Sequence, residues 1–480
     1  MHLLLLFITL FSSQRLHAEF FYEPDFVASS ASLHHVEILN HGLGSLEKRI
    51  QLIEKAKKSI DVEYYIFKLD LSSQILTQAL LKKARQGVHV RILIDYFANR
   101  KSPNPHILPL MKEFGIEVKF FNTTLFYNLR EVQYRNHRKA LIIDQETAVV
   151  GGRNVADEYF DLSPTYNYLD RDMAIHGEIV GSISRTFEAN FNSQWATHIK
   201  LPKKPSEDDP RYHRQDYDAD LFARELKRWN KNQNNALQFL QIHPDISAIR
   251  ELGQKSLSHS IKGTCNKLQF LSEIPGFGRK KKYGRILKNL IREKIESAQS
   301  NIIIESPYFV VTDEFREVLD KAFDSQVNIK LLTNSLNSTD HVFVFSAFES
   351  ELYGMMNKYL DTYVVTGQRP DGYEVLDQVQ KSFYGIHSKT FVFDDKDFII
   401  STFNFDPRSS DINSELLILC EDSPELALKI RDNVRERTKE SFHVESGDDL
   451  YDATYKKGKL KKIIFSLISK IPAKVFRYLL

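Results

Sequence analysis

The stretch HRKALIIDQETAVVGGRN, residues 137 to 154, places a histidine and a lysine two positions apart, before an apolar run that ends in Gly-Gly-x-Asn. A second stretch, HSKTFVFDDKDFIISTFN, residues 387 to 404, repeats this order. One such match arises by chance at roughly the few-per-cent level in a chain this long, whereas two in register indicate a duplication. The repeated residues are His137, Lys139, Asp144 and Asn154, which recur 250 positions later as His387, Lys389, Asp394 and Asn404.

The elements that precede each stretch are also duplicated. Apolar periodicity predicts helices at 45–58 and 72–85, each followed by a strand, at 59–67 and 88–96. Residues 298–335 repeat the order of helix, strand, helix and strand. Alternating strands and helices predict an α/β fold, in which two βαβ-rich halves with mixed sheets pack about a pseudo-twofold axis.

Composition shifts divide the chain into five segments. We expect a first half at 30–200 and a second half at 266–440, separated by a polar and charged linker or insertion at 201–265. Residues 441–480 form a basic amphipathic tail. Residues 1–18 have a short apolar core and predict a signal peptide cleaved after Ala18, with an uncleaved membrane anchor as the alternative. Export would place the protein at a membrane, on the periplasmic face or secreted.

Charge and cysteine content narrow the class of protein. The chain carries 65 Lys plus Arg against 63 Asp plus Glu, so no overall basic field points to nucleic acid. The two cysteines, Cys265 and Cys420, lack the spacing of metal ligands. Their distance in sequence favours free buried thiols over a disulfide.

Each stretch also predicts a hairpin. If residues whose numbers sum to 291 are paired, Asn154 lies opposite His137 and the small Gly152 lies opposite Lys139. In the second copy, Asn404 and Thr402 take the corresponding places. Each half then presents an imidazole, an ammonium group and a carboxamide on one face of its sheet.

The aspartates of the repeat do not belong on that face. Seven extended residues span roughly 23 Å, so Asp144 and Asp394 cannot touch their own histidines along the strand and are expected to hold the hairpin loops or form ion pairs. The carboxylates that orient the histidines must come from elsewhere. Our candidates are Asp172 and Glu415, which open apolar runs after each motif, with surface salt bridging as the alternative.

Two imidazoles, two ammonium groups and two amides suit a tetrahedral phosphate. One histidine would attack phosphorus and the other would protonate the leaving oxygen, while lysine and asparagine hold the other oxygens. No metal or cofactor is expected, because a His-x-Lys pair offers one metal ligand per segment.

The paired His-x-Lys-x(4)-Asp segments with their trailing asparagines resemble the HKD motifs of the phospholipase D superfamily. The similarity extends over roughly residues 40 to 437. The segments VVGGRNVADEYF (149–160), SPYFV (306–310) and FNFDPRSS (403–410) are most similar to bacterial cardiolipin synthases, particularly C-type members. Where that family usually has Gly-Ser before its second asparagine, this chain has Ser401 and Thr402.

The resemblance implies a metal-independent, two-step transphosphatidylation through a phosphohistidine. It makes His137 the nucleophile and His387 the general acid, an assignment that near-symmetry leaves reversible, and it makes Asp172 and Glu415 the groups that orient them. Asp144 and Asp394 complete the two motifs. The phosphate-binding residues it implies are Lys139, Lys389, Asn154 and Asn404, with Gly152 and Thr402 lining the site.

Three function classes remain open. A phosphatidyltransferase or phospholipase D would act on phosphatidylglycerol or another phospholipid at a membrane surface, which the amphipathic tail suits. A nuclease would need a basic groove with stacking aromatics, and the run GRKKKYGR at 278–285 is more typical of a solvated loop. We therefore expect no nucleic acid partner. A non-catalytic binding protein is disfavoured, because both motifs are complete. The aromatic loop at 120–136 fits an acyl or headgroup wall and core packing equally well.

Overall fold

The structure is a computed structural model that describes residues 25–30, 32–100, 107–124, 131–213, 220–241, 243–273, 285–356, 360–452 and 460–475. The predicted N-terminal signal lies outside these residues, as does most of the basic run at 278–285. The strands, in chain order, are β1 (Asp25–Ser30), β2 (His34–Leu39), β3 (Ser59–Tyr64), β4 (His89–Asp95), β5 (Ile116–Phe121), β6 (Ala140–Ile143), β7 (Thr147–Gly151), β8 (Tyr166–Leu169), β9 (Asp172–His176), β10 (Ala196–Thr197), β11 (Ile261–Cys265), β12 (Lys267–Glu273), β13 (Asn301–Glu305), β14 (Asn328–Asn334), β15 (Leu360–Val365), β16 (Phe383–Ile386), β17 (Thr390–Phe393), β18 (Asp397–Ser401), β19 (Leu416–Glu421) and β20 (Ser441–Val444).

Helices connect these strands and cover the sheets. The α-helices are Gly42–Lys55, Leu71–Arg85, Tyr96–Asn99, Ile107–Glu113, Ile179–Phe191, Leu221–Phe239, Ile246–Leu257, Ile286–Ser297, Asp313–Asp324, Val342–Met356, Pro407–Asp411, Pro424–Lys439, Gly447–Tyr451 and Leu460–Val475. Single 3-10 turns occur at Glu131–Gln133, Asp157–Tyr159, Pro210–His213 and Asp377–Val379.

Two nine-stranded sheets confirm the duplicated, mixed α/β fold. The first has the order β10-β5-β4-β3-β6-β7-β9-β2-β11 and the second the order β1-β12-β19-β18-β17-β13-β14-β15-β20. The run β5-β4-β3-β6-β7-β9-β2 corresponds strand by strand to β15-β14-β13-β17-β18-β19-β12. In both runs the βαβ strands are parallel and the hairpin strands antiparallel, which is the mixed sheet expected from the sequence.

Alternating side chains of the hairpin strands face two different cores. In β6, Leu141 and Ile143 pack with the outer helices of the first half, whereas Ala140 and Ile142 face a central core. That central core contains the helices Ile179–Phe191 and Pro424–Lys439 and apolar residues from both sheets. Strands buried on both faces read as continuous apolar runs, which is why the sequence around each repeat is so apolar.

The two halves exchange strands at their edges. β1, from the start of the described chain, pairs with β12 of the second sheet, and β11 pairs with β2 of the first. A separate two-stranded parallel sheet joins β8 of the first half to β16 of the second. The halves are therefore linked by backbone hydrogen bonds as well as by a shared core.

The cysteines form a disulfide between Cys265 and Cys420, so the prediction of free thiols is wrong. β11 ends at Cys265 and β12 begins two residues later, pairing Leu268 with Cys420 of β19. This antiparallel pairing brings the two Cα atoms to 5.7 Å across 155 residues of sequence. Long-range strand pairing of this kind is not visible in the spacing of cysteines.

The described residues of the segment 201–265 include the helices Leu221–Phe239 and Ile246–Leu257 and the strand β11. The helix Ile246–Leu257 packs on the first-half helix Gly42–Lys55, where Arg250 pairs with both Glu47 and Glu54. Ile249 is buried in the first-half core.

The predicted hairpin register is wrong by one residue. Ile143 pairs with Thr147, and the paired numbers sum to 290, because three residues and not two or four lie between the strands. Asp144 and Gln145 have φ of 54° and 60°, and the Glu146 N–H donates to the Ile143 carbonyl, as in a type I′ turn. The second hairpin is built in the same way, so that Gly151 and Ser401, one position earlier than predicted, lie opposite the lysines.

The helix Leu460–Val475, here called the tail helix, packs on the helix Val342–Met356. The contact includes polar groups, since the hydroxyls of Ser466 and Ser469 each lie 3.0 Å from that of Ser346, and Ile463 packs against the apolar core of the second half. Among the helices of the described residues, none combines the length and apolarity needed to span a bilayer.

Candidate active site

Each half supplies the backbone that holds the histidine segment of the other. The His137 N–H donates to the Ser414 carbonyl at 2.9 Å, and the neighbouring Asn136 and Ser414 form a parallel bridge. The His387 N–H donates to the Leu169 carbonyl at 2.9 Å, at the end of the β8–β16 pairing. Both histidines therefore lie where the two halves meet.

A carboxylate from the opposite half binds the Nδ1 atom of each histidine. The His137 Nδ1 lies 2.8 Å from a carboxylate oxygen of Glu415, and the His387 Nδ1 lies 2.6 Å from one of Asp170. Both carboxylates are fully buried. An anion on Nδ1 fixes the ring and its tautomer, so that Nε2 is the nitrogen available to a reacting phosphorus.

Asp172 contacts neither histidine, and its prediction as an orienting residue is wrong. Its carboxylate accepts hydrogen bonds from Ser45 at 2.7 Å, Arg49 at 3.0 Å and Arg153 at 3.1 Å. Asp172 pairs with Gly151 inside the sheet, whereas Asp170, two residues earlier, lies beyond the strand end.

Strand pairing shows which carboxylates of the two halves are equivalent. Glu415 likewise precedes by two residues the partner of Ser401, which is Leu417. Asp170 and Glu415 are thus equivalent in the duplicated fold although they are not 250 residues apart. In the sequence, Asp170 was indicated only by its position two residues before Asp172, the residue that we predicted instead.

Gly152 and Thr402 were predicted to lie opposite the lysines, but they contact the carboxylates that orient the histidines. A Cβ atom at Gly152 would lie 2.1 Å from an oxygen of Asp170, so only glycine leaves room for that carboxylate. In the second half, the Thr402 hydroxyl donates to Glu415 at 2.5 Å. The hydroxyl that Thr402 has in common with the family's serine therefore binds the carboxylate that orients His137.

Both lysines are buried in the site. Lys139 Nζ donates to the His137 carbonyl at 2.6 Å and lies 5.4 Å from the centre of the Tyr65 ring, while Lys389 Nζ donates to the His387 carbonyl. Burial lowers the pKa of Lys139 to about 7, with a further lowering by Lys389 against the opposing effect of Glu415. Burial also lowers the pKa of Lys389 to about 8.

The imidazoles are tuned in the same direction. Burial lowers the pKa of His137 to about 4, against the opposing effect of Glu415, and burial together with Lys389 lowers the pKa of His387 to about 4. Although burial opposes ionisation of the carboxylates, the adjacent histidines hold the pKa values of Asp170 and Glu415 below their usual range. Lys389 also acts electrostatically on His137, and Lys139 on His387, so the two half-sites form one electrostatic unit.

The two asparagines are buried beside the motifs. Asn154 accepts a hydrogen bond from the Ile66 N–H at 3.1 Å and bonds the Tyr159 hydroxyl. The Asn404 N–H donates to Ser409 at 3.1 Å, and within the described part of the chain its side-chain oxygen has no hydrogen-bond partner. That these amides bind the phosphate stays a prediction.

Asp144 and Asp394 lie away from the histidines, as the strand length predicts. Asp144 accepts backbone hydrogen bonds from Lys57, Lys58 and Ser59 at 2.6 to 2.8 Å. Asp394 accepts the equivalent bonds, which come from Gln299, Ser300 and Asn301. Each aspartate ties its hairpin turn to the junction between a helix and the first strand of its half.

Sequence reasoning missed an aromatic group around His387. The rings of Tyr159 and Tyr168 each lie 4.9 Å from the His387 ring, centre to centre. The hydroxyls of Tyr168 and Tyr308 donate to Asp340 at 2.6 and 2.9 Å. Within the described part of the chain, the ring paired with His137 is that of Tyr65, at 5.0 Å. For the aromatic segment 120–136 the sequence left a site wall and core packing equally open. Phe120 and Phe121, at its start, are core residues, and residues 125–130 lie outside the described part of the chain.

Comparison with known proteins agrees with this geometry. A family model described as cardiolipin synthase, PLD-like domain matches residues 49–195 and 291–437, one match for each half. Cardiolipin synthase C of Escherichia coli K12 is 29% identical over 395 residues, which cover 79% of each chain. The major cardiolipin synthase ClsA of Bacillus subtilis is 28% identical over 383 residues, covering 79% of this chain and 64% of that protein.

A solved structure supports the fold at whole-chain scale. The phosphatidylserine synthase of Haemophilus influenzae superposes with a TM-score of 0.63 at 14% identity, covering 94% of this chain and 98% of that one. Two family matches, each containing a complete His-x-Lys motif, account for the duplication. The chain belongs to the phospholipase D superfamily, in the family of cardiolipin synthase PLD-like domains.

Proposed function

We propose that the protein is a phosphatidyltransferase that makes cardiolipin from phosphatidylglycerol and a second phospholipid through a phosphohistidine. The observation that carries this proposal is the pair of histidines, each bound at Nδ1 by a carboxylate of the opposite half, with two buried lysines beside them. The names of the bacterial relatives support the choice of product.

In the first step, His137 Nε2 attacks the phosphorus of phosphatidylglycerol. The bond to the headgroup oxygen breaks, and His387 gives a proton to the departing glycerol. Because burial holds the pKa of His387 at about 4, its imidazolium form depends on the negative charge of the phosphate that binds beside it. Lys139 and Lys389 stabilise the charge on the nonbridging oxygens. Asp170 binds His387 directly, and Asp340 interacts with it electrostatically, so two carboxylates oppose the lowering of its pKa by burial. This supports His387 as the acid.

In the second step, His387, now neutral, takes a proton from the hydroxyl of an incoming phospholipid. That oxygen attacks phosphorus, the bond to His137 breaks, and cardiolipin leaves. The same intermediate attacked by water gives phosphatidic acid, so the product depends on which acceptor reaches it. The reaction needs only histidine, lysine and carboxylate chemistry from this chain.

The disulfide supports an exported location. Structural disulfides persist in oxidising compartments, and the Cys265–Cys420 bond is fully buried. The apolar N-terminal segment of the sequence points the same way.

Product analysis tests the proposal. Full-length protein and a His137→Ala control are given phosphatidylglycerol vesicles, with and without phosphatidylethanolamine, in excess chelator, and the lipids are identified by mass spectrometry. We expect cardiolipin from the wild type alone. Phosphatidic acid without cardiolipin would identify a phospholipase D, and turnover by His137→Ala equal to wild type would refute the site.

A second experiment tests the intermediate. Wild type and His387→Ala are mixed with labelled phosphatidylglycerol, quenched in alkali within seconds, and digested. We expect a phosphatidyl adduct on the peptide that contains His137, because loss of the acid leaves a slow but covalent first step. An adduct found on His387 of the wild type would reverse the two roles.

A further inference from the structure

The tail helix turns its serine face toward the protein and its apolar face outward. Ser466 and Ser469 are buried against Ser346, and Lys470 pairs with Glu349 at 3.1 Å on the same side. The exposed residues are large and apolar, with exposed fractions of 50% to 72%: Leu460, Ile464, Phe465, Leu467 and Ile468. A core-facing amphipathic helix would have the opposite orientation.

Charge indicates what covers this face. From residue 453 to the end, the sequence has seven lysines and one arginine, and no aspartate or glutamate. Lys461 is exposed on the outward side of the helix. Apolar side chains flanked by lysines, without carboxylates, match the acyl and anionic headgroup layers of a phospholipid bilayer.

The tail helix is also connected to the candidate active site. The Lys462 ammonium group donates to the carbonyls of Leu336, Asn337 and Thr339, which form the loop after β14. The next residue of this loop, Asp340, accepts hydrogen bonds from Tyr168 and Tyr308, and Tyr168 contacts His387. A surface in contact with the outward face of the helix would thus be joined to the site through one short loop.

We infer that the outward face of the tail helix docks on an anionic phospholipid bilayer and holds the His387 half-site at the membrane. The inference rests on the proposed function only for the reason that a lipid enzyme must meet its substrate in a bilayer. It names the segment that makes the contact, which the chemistry of the two histidines leaves open.

A labelled single cysteine tests this contact directly. The chain has two cysteines, both in the disulfide, so an added cysteine is the one free thiol. Full-length Ile468→Cys, labelled with an environment-sensitive fluorophore, is mixed with phosphatidylglycerol vesicles that carry brominated acyl chains. The matched control is Leu237→Cys, since Leu237 is an apolar helical residue with 48% exposure far from the tail in sequence.

We expect brominated lipid to quench the label at position 468 by about twofold and to leave the label at 237 unchanged. Replacing phosphatidylglycerol by phosphatidylcholine should weaken the binding measured at 468 by about tenfold, because several lysines lose their anionic partners. Lipid turnover is not measured, so a failed proposal of function leaves this result intact.

Three outcomes would overturn the inference. Vesicle binding without quenching at 468 would assign the membrane contact to another segment. A label at 468 that is already buried before lipid is added would mean that a second copy or another part of the chain covers the face. Equal quenching at 468 and 237 would mean that the contact is not specific to the tail helix.

Discussion

At the scale of single residues, the site is a set of buried charges that compensate one another. His137 and His387 are each paired with a carboxylate, and the two lysines share the same buried space. Removing one charged group leaves its partner buried and uncompensated. Effects on catalysis must therefore be separated from effects on folding by comparing variants of neighbouring residues.

Asp170 and Asp172 offer that separation. Asp170→Asn keeps size but removes the anion on His387, and we expect turnover to fall by about 10³- to 10⁴-fold, as for a triad carboxylate made neutral. Asp172→Asn leaves Arg49 and Arg153 poorly compensated and should cost about 3–5 kcal/mol of unfolding free energy. Lipid turnover and urea unfolding measure the two effects. A reversed pattern would restore Asp172 as the orienting residue.

The lysines predict a pH-dependent anion affinity. At a pH below about 7 both ammonium groups are charged. As the pH rises, Lys139 loses its proton near pH 7 and Lys389 near pH 8. Inhibition by sulfate, whose charge is constant over this range, should therefore weaken as pH rises from 6 to 9. In Lys139→Gln the weakening should begin near pH 8 or above. Inhibition that is flat with pH in both proteins would contradict the lowered pKa values.

At the scale of elements, the hairpin turns carry the repeat's aspartates. Asp144 and Asp394 sit at positive φ and accept backbone N–H groups from the junction before β3 or β13. These bonds resemble helix caps in number and geometry, so their value is in stability and not in catalysis.

Asp144→Ala should lower the unfolding free energy by about 1 kcal/mol and leave kcat unchanged. Burial raises the pKa of Asp144, but the backbone N–H groups of Lys57 to Ser59 together outweigh this effect and hold the pKa below its usual value. Its stabilising effect is therefore present above the unfolded pKa and is lost as pH falls through the folded one. Urea unfolding at pH 7 and at pH 3 should show the difference from wild type shrink in acid. A loss of kcat would place Asp144 in the chemistry after all.

The sequence predicted these elements well where the signal is local. Helix and strand positions around residues 42–95, the duplication, and Glu415 as a neighbour of a histidine could all be read from periodicity and spacing. The contact of Gly152 with Asp170, the role of Asp170 and the disulfide could not be predicted, because each depends on the register between distant strands. The hairpin turn has three residues, and an error of one residue in register moves every side chain of a strand to the other face. The sequence indicated that the tail helix is amphipathic, but which face packs on the protein depends on Ser346 in the distant helix Val342–Met356.

At the scale of the whole molecule, the disulfide links the two sheets, because it joins the end of β11 in the first sheet to β19 in the second. Cys265 ends β11, whose partner β2 belongs to the first sheet, and Cys420 lies in β19 of the second sheet. The bond thus joins strands of two sheets over 155 residues.

Cys265→Ala with Cys420→Ala should lower the unfolding free energy by about 3–5 kcal/mol, because the unfolded chain regains the freedom of a long loop. Urea unfolding of the variant and of wild type, each with and without reductant, measures this. Reductant should lower the midpoint of wild type toward that of the variant and leave the variant unchanged. Equal midpoints for all four samples would show that the crosslink adds no stability.

The crossed carboxylates give the two halves a shared fate in inheritance. Because Glu415 serves His137 and Asp170 serves His387, a harmful change in either half disables a histidine that the other half encodes. Neither half can therefore lose its functional side chains while the other half alone keeps the activity. Recombinants that join the front of one lineage to the back of another must match at this crossing, so the duplicated halves are expected to descend together as a single gene.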